Sequence, residues 1–497
     1  MSNNNFDSDH LDTLDRDLGR LTNLEAATAY ASRPMVGLGI SFVFVVLASV
    51  LATVFFGQSN NTLIVIIAAG VGAYMALNIG ANDVANNMGP AVGANALSMG
   101  AAIAIAAVFE SMGALLAGGD VVSTIAKGII APESMQTSGI FIWAMLAALL
   151  SAALWVNLAT WIGAPVSTTH SVVGGVMGAG IAAAGFAAVN WPTMSKIAAS
   201  WVISPVLGGA IAAAFLWFIK SRIVYQDDKI ASAKRWVPVL VGIMGGAFAT
   251  YLAMKGLKKI IKIDLTTALS IGLALGIIIW LVMIPVIRKQ AEGLENRNKS
   301  LKVLFGIPLV VSAALLSFAH GANDVANAVG PLAAIVQASQ SGDFTAVVSI
   351  PLWVMVIGAL GISFGLFLFG PKLIRMVGQQ ITKLNPLRAY CVALSAAITV
   401  IVASWLGLPV SSTHIAVGAV FGVGFFREAH WRVTTNNAYV AEIVEKEASK
   451  ADKKKRKHRK LVRRSHFLTI IAAWVITVPA AAILSGIVFL LLNTFSK

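Results

Sequence analysis

Apolar stretches of about 20 residues, the length a helix needs to cross roughly 30 Å of hydrocarbon, recur along nearly the whole chain. Thirteen stand out, near 36–56, 62–79, 100–117, 140–162, 168–187, 198–219, 236–254, 266–287, 303–319, 349–369, 389–406, 410–426 and 467–492. Several are rich in Gly and Ala and read as broken or re-entrant, so the pattern predicts an all-α polytopic membrane protein with about 12–13 transmembrane segments. Polar residues gather in short connections, apart from residues 1–34 and a long charged stretch at about 427–466. With 57% hydrophobic and 12% charged residues, the chain carries more apolar surface than one water-soluble core can hide.

The net charge of +15 takes its meaning from where the charges lie. With thirteen segments, thirty of the 37 Lys and Arg fall on one side and seven on the other. That asymmetry predicts a cytoplasmic N-terminus and a C-terminus outside. The stretch 255–262 runs against it, placing Lys255, Lys258, Lys259 and Lys262 on the outer side. The basic run Lys453 to Lys460 has no aromatic interleaving and lies between spans, which argues against nucleic acid and for lipid head groups or topological anchoring. Residues 1–34 are acidic and lack the basic start and apolar stretch of a secretory signal peptide; Leu11, Leu14, Leu18, Leu21 and Leu24 suggest an amphipathic cytoplasmic helix. The single cysteine, Cys391, lies in an apolar segment and reads as packing.

Two motifs occur twice. Gly80-Ala81-Asn82-Asp83-Val84-Ala85-Asn86 returns unchanged as Gly321-Ala322-Asn323-Asp324-Val325-Ala326-Asn327, and each copy leads to a Gly-Pro. Pro165-Val166-Ser167-Thr168-Thr169-His170 is matched by Pro409-Val410-Ser411-Ser412-Thr413-His414. The chain thus divides into an acidic cytoplasmic tail (1–34), an extra N-terminal transmembrane helix (35–60), a first membrane repeat (61–220), linking loops with two transmembrane helices (221–302), and a second repeat (303–497) carrying the basic cytoplasmic insertion at about 427–466. The first helices of the repeats are seven segments apart, an odd number, so the copies are expected to be inverted, with a site near the midplane where they meet.

The motifs carry chemistry suited to such a site. Gly, Asn, Asp and Pro together continue a helix poorly, so each Asn-Asp motif predicts a break at membrane depth, and Asp83 and Asp324 become intramembrane carboxylates. Three successive hydroxyls after a proline, Ser167-Thr168-Thr169 and Ser411-Ser412-Thr413, suit an oxyanion at a helix start. None of the four motifs contains Lys or Arg, so a divalent anion beside two aspartates needs cations to enter with it. Hard oxygen ligands favour sodium; protons are the alternative, with His170, His414 or the aspartates as carriers or hydrogen-bonding groups. Glu110 is a further carboxylate in an apolar helix, and its counterpart in the second repeat is expected at about 355–360, where no acid occurs.

On these motifs the sequence resembles the inorganic phosphate transporter (PiT) family, over roughly 62–219 and 303–492. Phe109-Glu110 and Ile125-Ala126-Lys127-Gly128-Ile129-Ile130 look more like its sodium-coupled branch. The resemblance implies a usually homodimeric, alternating-access symporter of the cell (inner) membrane, importing phosphate with sodium as coupling ion and needing no other cofactor. It further implies that Asn82, Asp83, Asn323 and Asp324 bind ions, with sodium at Asp83 and Asp324 and with Glu110 beside them. Ser167, Thr168, Thr169, Ser411, Ser412 and Thr413 would hold phosphate, with Asn86 and Asn327 organising the site. Sulfate is the competing cargo and an anion channel the competing class. An enzyme is disfavoured, because each hydroxyl and its neighbouring histidine do not face one another on a helix and no third orienting group is apparent.

Overall fold

The computed structural model describes residues 35–57, 61–162, 166–256, 263–341, 350–376, 384–436 and 464–494. The leucine-periodic tail and the Lys453 to Lys460 run lie outside them. Among the described residues the chain is helical, apart from one isolated bridge between Ile130 and Val189. In chain order the helices are α1 (Met35–Phe56), α2 (Thr62–Asn82), α3 (Val84–Gly93), α4 (Met99–Ala117), α5 (Gly119–Ser123), α6 (Ser138–Ile162), α7 (Thr168–Ala184), α8 (Trp191–Ile219), α9 (Lys229–Lys255), α10 (Leu265–Gln290), α11 (Asn298–Leu304), α12 (Gly306–Ser341), α13 (Leu352–Met376), α14 (Pro386–Trp405), α15 (Ser412–Asn436) and α16 (Arg464–Thr494).

Polar residues start many of them. Ser98, Asn190, Asp228, Asp264 and Asn385 each accept a hydrogen bond from the backbone N–H three residues on, as does Ser167 at the start of α7. At exposed Asp264 the hydrogen bond from Thr267 holds the carboxyl below its ordinary range. Among the described residues, eleven spans are long and apolar enough to cross a membrane, so the chain is a multi-pass membrane protein. The two predicted segments missing from that set are α7 and α15. Both start at the repeated Ser-Thr motifs, and each returns antiparallel to the helix before it, as α6–α7 and α14–α15.

At the Asn-Asp motifs the expected break is nearly absent. Between α2 and α3 one residue intervenes, Asp83, and its φ of −86° and ψ of −34° are helical. In the second copy α12 runs unbroken through the motif for 36 residues. Asn and Asp weaken helices by bonding to nearby backbone, and here most of the motif's side chains bond to other elements instead.

The two halves pack by exchange. α2 lies on α13 and α4 on α12; α7 lies on α16 and α8 on α15. Glycines permit the approaches: a Cβ on Gly80 would overlap the carbonyl oxygen of Ile362, and one on Gly321 that of Glu110. Likewise Gly178 meets the carbonyl of Ala482, and Gly422 that of Gly209. These paired contacts fix the equivalence of the halves. They place Ile362, not a residue of 355–360, opposite Glu110, so the counterpart lies slightly later in the chain and is still apolar. Gly72 on α2 faces Ala328 and Leu332 of α12, whereas Asp83, further along α2, lies by the earlier His320 and Asp324. The two motif helices therefore cross antiparallel.

Candidate functional site at the crossing of the motif helices

Where α2 and α12 cross, the tips of both hairpins arrive. Thr168, the first residue of α7, donates to Asp83 at 2.7 Å, and Thr413 on the other hairpin donates to the second oxygen of Asp83 at 3.3 Å. Ser412 donates to Asp324 at 3.3 Å. Asn86 donates to Thr413 at 2.9 Å, and Asn327 to Thr168 and Thr169 at 3.3 and 3.2 Å. Each asparagine that closes a motif thus reaches the other half's hydroxyl run. Asp83, Asp324, Asn327, Thr168 and Thr169 are all buried.

Asn323 clamps the second tip, donating to Ser404 and to the carbonyl of Leu408 and accepting from the Val410 N–H. The buried amide nitrogen of Asn82 has no protein partner. Thr169 donates to the carbonyl of Val410, tying one hairpin to the other. Ser167 and Ser411 act as caps, accepting from the backbone of His170 and His414. The two histidine rings meet at a tilt of 52° at the contact between the hairpins, 4.6 Å apart, and His170 also meets Trp201 edge-on at 3.9 Å. The His170 ring nitrogens make no hydrogen bond, so this ring sits among other rings and away from the carboxylates.

Glu110 belongs to the cluster through a residue that sequence reasoning passed over. His320, one position before the second motif, has Nδ1 2.6 Å from Glu110 and Nε2 2.8 Å from Asp324. Asn87 donates to the other Glu110 oxygen at 2.9 Å. Ligand atoms of Asp83, His320 and Asp324 all lie within 4.8 Å of one another. An ionisable residue inside an apolar span is itself a signal of a site, but the first repeat has Ile79 at this position, so comparing the repeats hid it. The cluster holds three carboxylates against one imidazole. That excess of negative charge suits a cation, and the convergent hydroxyl donors suit an oxyanion.

A family model described as the phosphate transporter family matches residues 79–485. The chain belongs to the phosphate transporter family. Relatives of this transporter include a Helicobacter pylori protein named "Putative phosphate permease", 45% identical across 97% of this chain and 99% of the relative. The chloroplastic inorganic phosphate transporter 2-1 of Arabidopsis thaliana is 36% identical, covering 84% of this chain and 70% of the plant protein. A solved structure titled "The sodium-dependent phosphate transporter" superposes with a TM-score of 0.76 at 35% identity, over 87% of this chain and 99% of the other. Phosphate transport, and not enzymatic turnover, is the business of this chain.

Proposed function

We propose that the chain is a secondary symporter that imports inorganic phosphate with sodium by alternating access, with its site at the crossing of α2 and α12. The observation that carries this reading is the convergence of Asp83 and Asp324, one from each half, with Thr168, Ser412 and Thr413 on the two hairpin tips. Phosphate would be held by Ser167, Thr168, Thr169, Ser411, Ser412 and Thr413 with Asn86 and Asn327. Sodium would be held by Asp83 and Asp324 with Asn82 and Asn323. Carboxylate, amide and hydroxyl oxygens are the hard ligands such an ion takes, and Asp83 and Asp324 left without a cation would repel the anion. The sodium-dependent title of the solved relative supports the same choice of ion. A homodimer in the cell membrane, with the N-terminus cytoplasmic and the C-terminus outside, completes the reading.

One observation favours a second reading, proton coupling: His320 bridges Glu110 and Asp324 and offers a proton-carrying group beside the site. Uptake of labelled phosphate into proteoliposomes, under an imposed sodium gradient or an imposed proton gradient, separates the two. Sodium-driven uptake, lost in Asp83→Asn and Asp324→Asn, is the expected result. Uptake driven by protons alone overturns the ion. Entry of sulfate with no phosphate uptake overturns the cargo.

A further inference from the structure

Away from the buried cluster, a cavity of about 270 Å³ lies where α5, the end of α9 and the tip of the second hairpin meet, lined in part by Leu116, Asp120, Met254, Lys255 and Trp405. Lys255 is ion-paired with Asp120, and their side chains are 18% and 48% exposed. The segment that carries Asp120 also holds the hairpin tip. Thr124 donates to the carbonyl of Gly407 at 2.7 Å, and Gly407, at a φ of 67°, lies against Asp120. One turn before Lys255 stands Tyr251, which is 8% exposed and whose hydroxyl has no hydrogen-bond partner. Its ring meets Phe318 edge-on at 6.3 Å, and Phe248 closes on the same ring at 4.9 Å. Phe318 comes two residues before His320 on α12. Tyr251 and Phe318 pack with Ala117 and Leu116 of the cavity wall, so one aromatic layer stands between the cavity and α12.

A divalent anion approaching a site built on carboxylates is repelled unless a cation raises its concentration at the mouth. The four motifs contain no Lys or Arg, and Lys255 is the first of the lysines in 255–262 that run against the charge asymmetry of the chain. We propose that this cavity is an antechamber for the tetrahedral oxyanion. Lys255 receives the anion from solvent in exchange for the Asp120 carboxylate, which is half exposed and returns to water. The Tyr251 hydroxyl then hydrogen-bonds an anion oxygen before Phe318 yields. The exchange keeps the ammonium compensated throughout, one carboxylate leaving as one oxyanion arrives. This inference rests on the phosphate-symport reading above. A mere strut between α5 and α9 would contribute little through an ion pair so placed, and its loss would leave anion affinity alone.

The test is phosphate uptake by the full-length chain in proteoliposomes across a range of phosphate concentrations, for the wild type, Lys255→Cys and Asp120→Asn. The new thiol is then modified with an aminoethyl or a methyl disulfide reagent; the native Cys391 is buried and does not compete. The expected result for Lys255→Cys is a KM raised about tenfold at a nearly unchanged maximal rate, restored by the aminoethyl group and not by the methyl group. Asp120→Asn is expected to leave KM at or below the wild-type value. An unchanged KM in Lys255→Cys, or a loss of maximal rate that restored charge does not repair, overturns the antechamber. Absence of wild-type uptake overturns the phosphate reading itself, and the inference with it.

Discussion

At the scale of single residues, the contact between Glu110 and His320 has no counterpart in the other half of the molecule. The equivalent positions in the other halves are Ile362 and Ile79, both fully buried. A buried charge pair is costly to break from one side and cheap to replace whole by apolar residues of similar size. Glu110→Ile or His320→Ile alone is therefore expected to destabilise the purified protein by about 3–5 kcal/mol, and the double variant by less than the sum of the two, the remaining cost being Asp324 and Asn87 left without these partners. Thermal unfolding in detergent reads the difference; additive losses, the double variant costing the sum of the two single ones, would show that the pair is not the unit. Asn323, with its three bonds to the hairpin tip, is the second sensitive residue. Asn323→Ala strands the buried Val410 N–H, and a loss of about 1–3 kcal/mol is expected in the same assay. The repeated motif made Asn323 legible in the sequence. His320 was not, because a lone histidine with an isoleucine as its repeat partner carries no internal signature.

At the scale of elements, the apolar runs gave the positions of most helices, and the doubled Ser-Thr motifs marked where two hairpins turn. What the runs left hidden was continuity. Gly, Asn and Asp crowded into one heptad, with Pro331 four residues on, read as a break, yet α12 passes through them because Asn323, Asp324 and Asn327 bond to the hairpin tips and not to their own backbone. Register was equally hidden: the glycine contacts, Gly321 on Glu110 and Gly80 on Ile362, make Ile362 the equivalent of Glu110. The same contacts make a prediction about packing. Gly422 on α15 and Gly178 on α7 lie directly against backbone carbonyls of α8 and α16. Gly422→Ala and Gly178→Ala must push their helices apart, at about 1–3 kcal/mol each. Lower melting temperatures for both are expected, and wild-type values would mean that the helix pairs adjust freely.

At the scale of the whole molecule, α9 fixes what lies on which side. Its 27 residues cover about 40 Å, enough to carry Asp228 and Lys255 to opposite faces of a bilayer. With the basic residues inside, Asp228→Cys is expected to react with an impermeant thiol reagent only in inverted vesicles, and Asp264→Cys only in right-side-out ones. The reverse pattern would turn the topology over without touching the fold. The exchange packing of the halves bears on energetics as well. In a carrier that alternates by letting two equivalent halves trade conformations, perfect likeness would make the two end states degenerate, and the empty protein would face each side half of the time. If this chain works in that way, Glu110 and His320 would break the degeneracy, since trading conformations would move an ionisable contact into a place where the other half has only isoleucine. Each 1.4 kcal/mol of that difference weights the resting equilibrium tenfold toward one side. On the alternating-access reading proposed above, the empty carrier would have a preferred face, with this buried contact as one source of it.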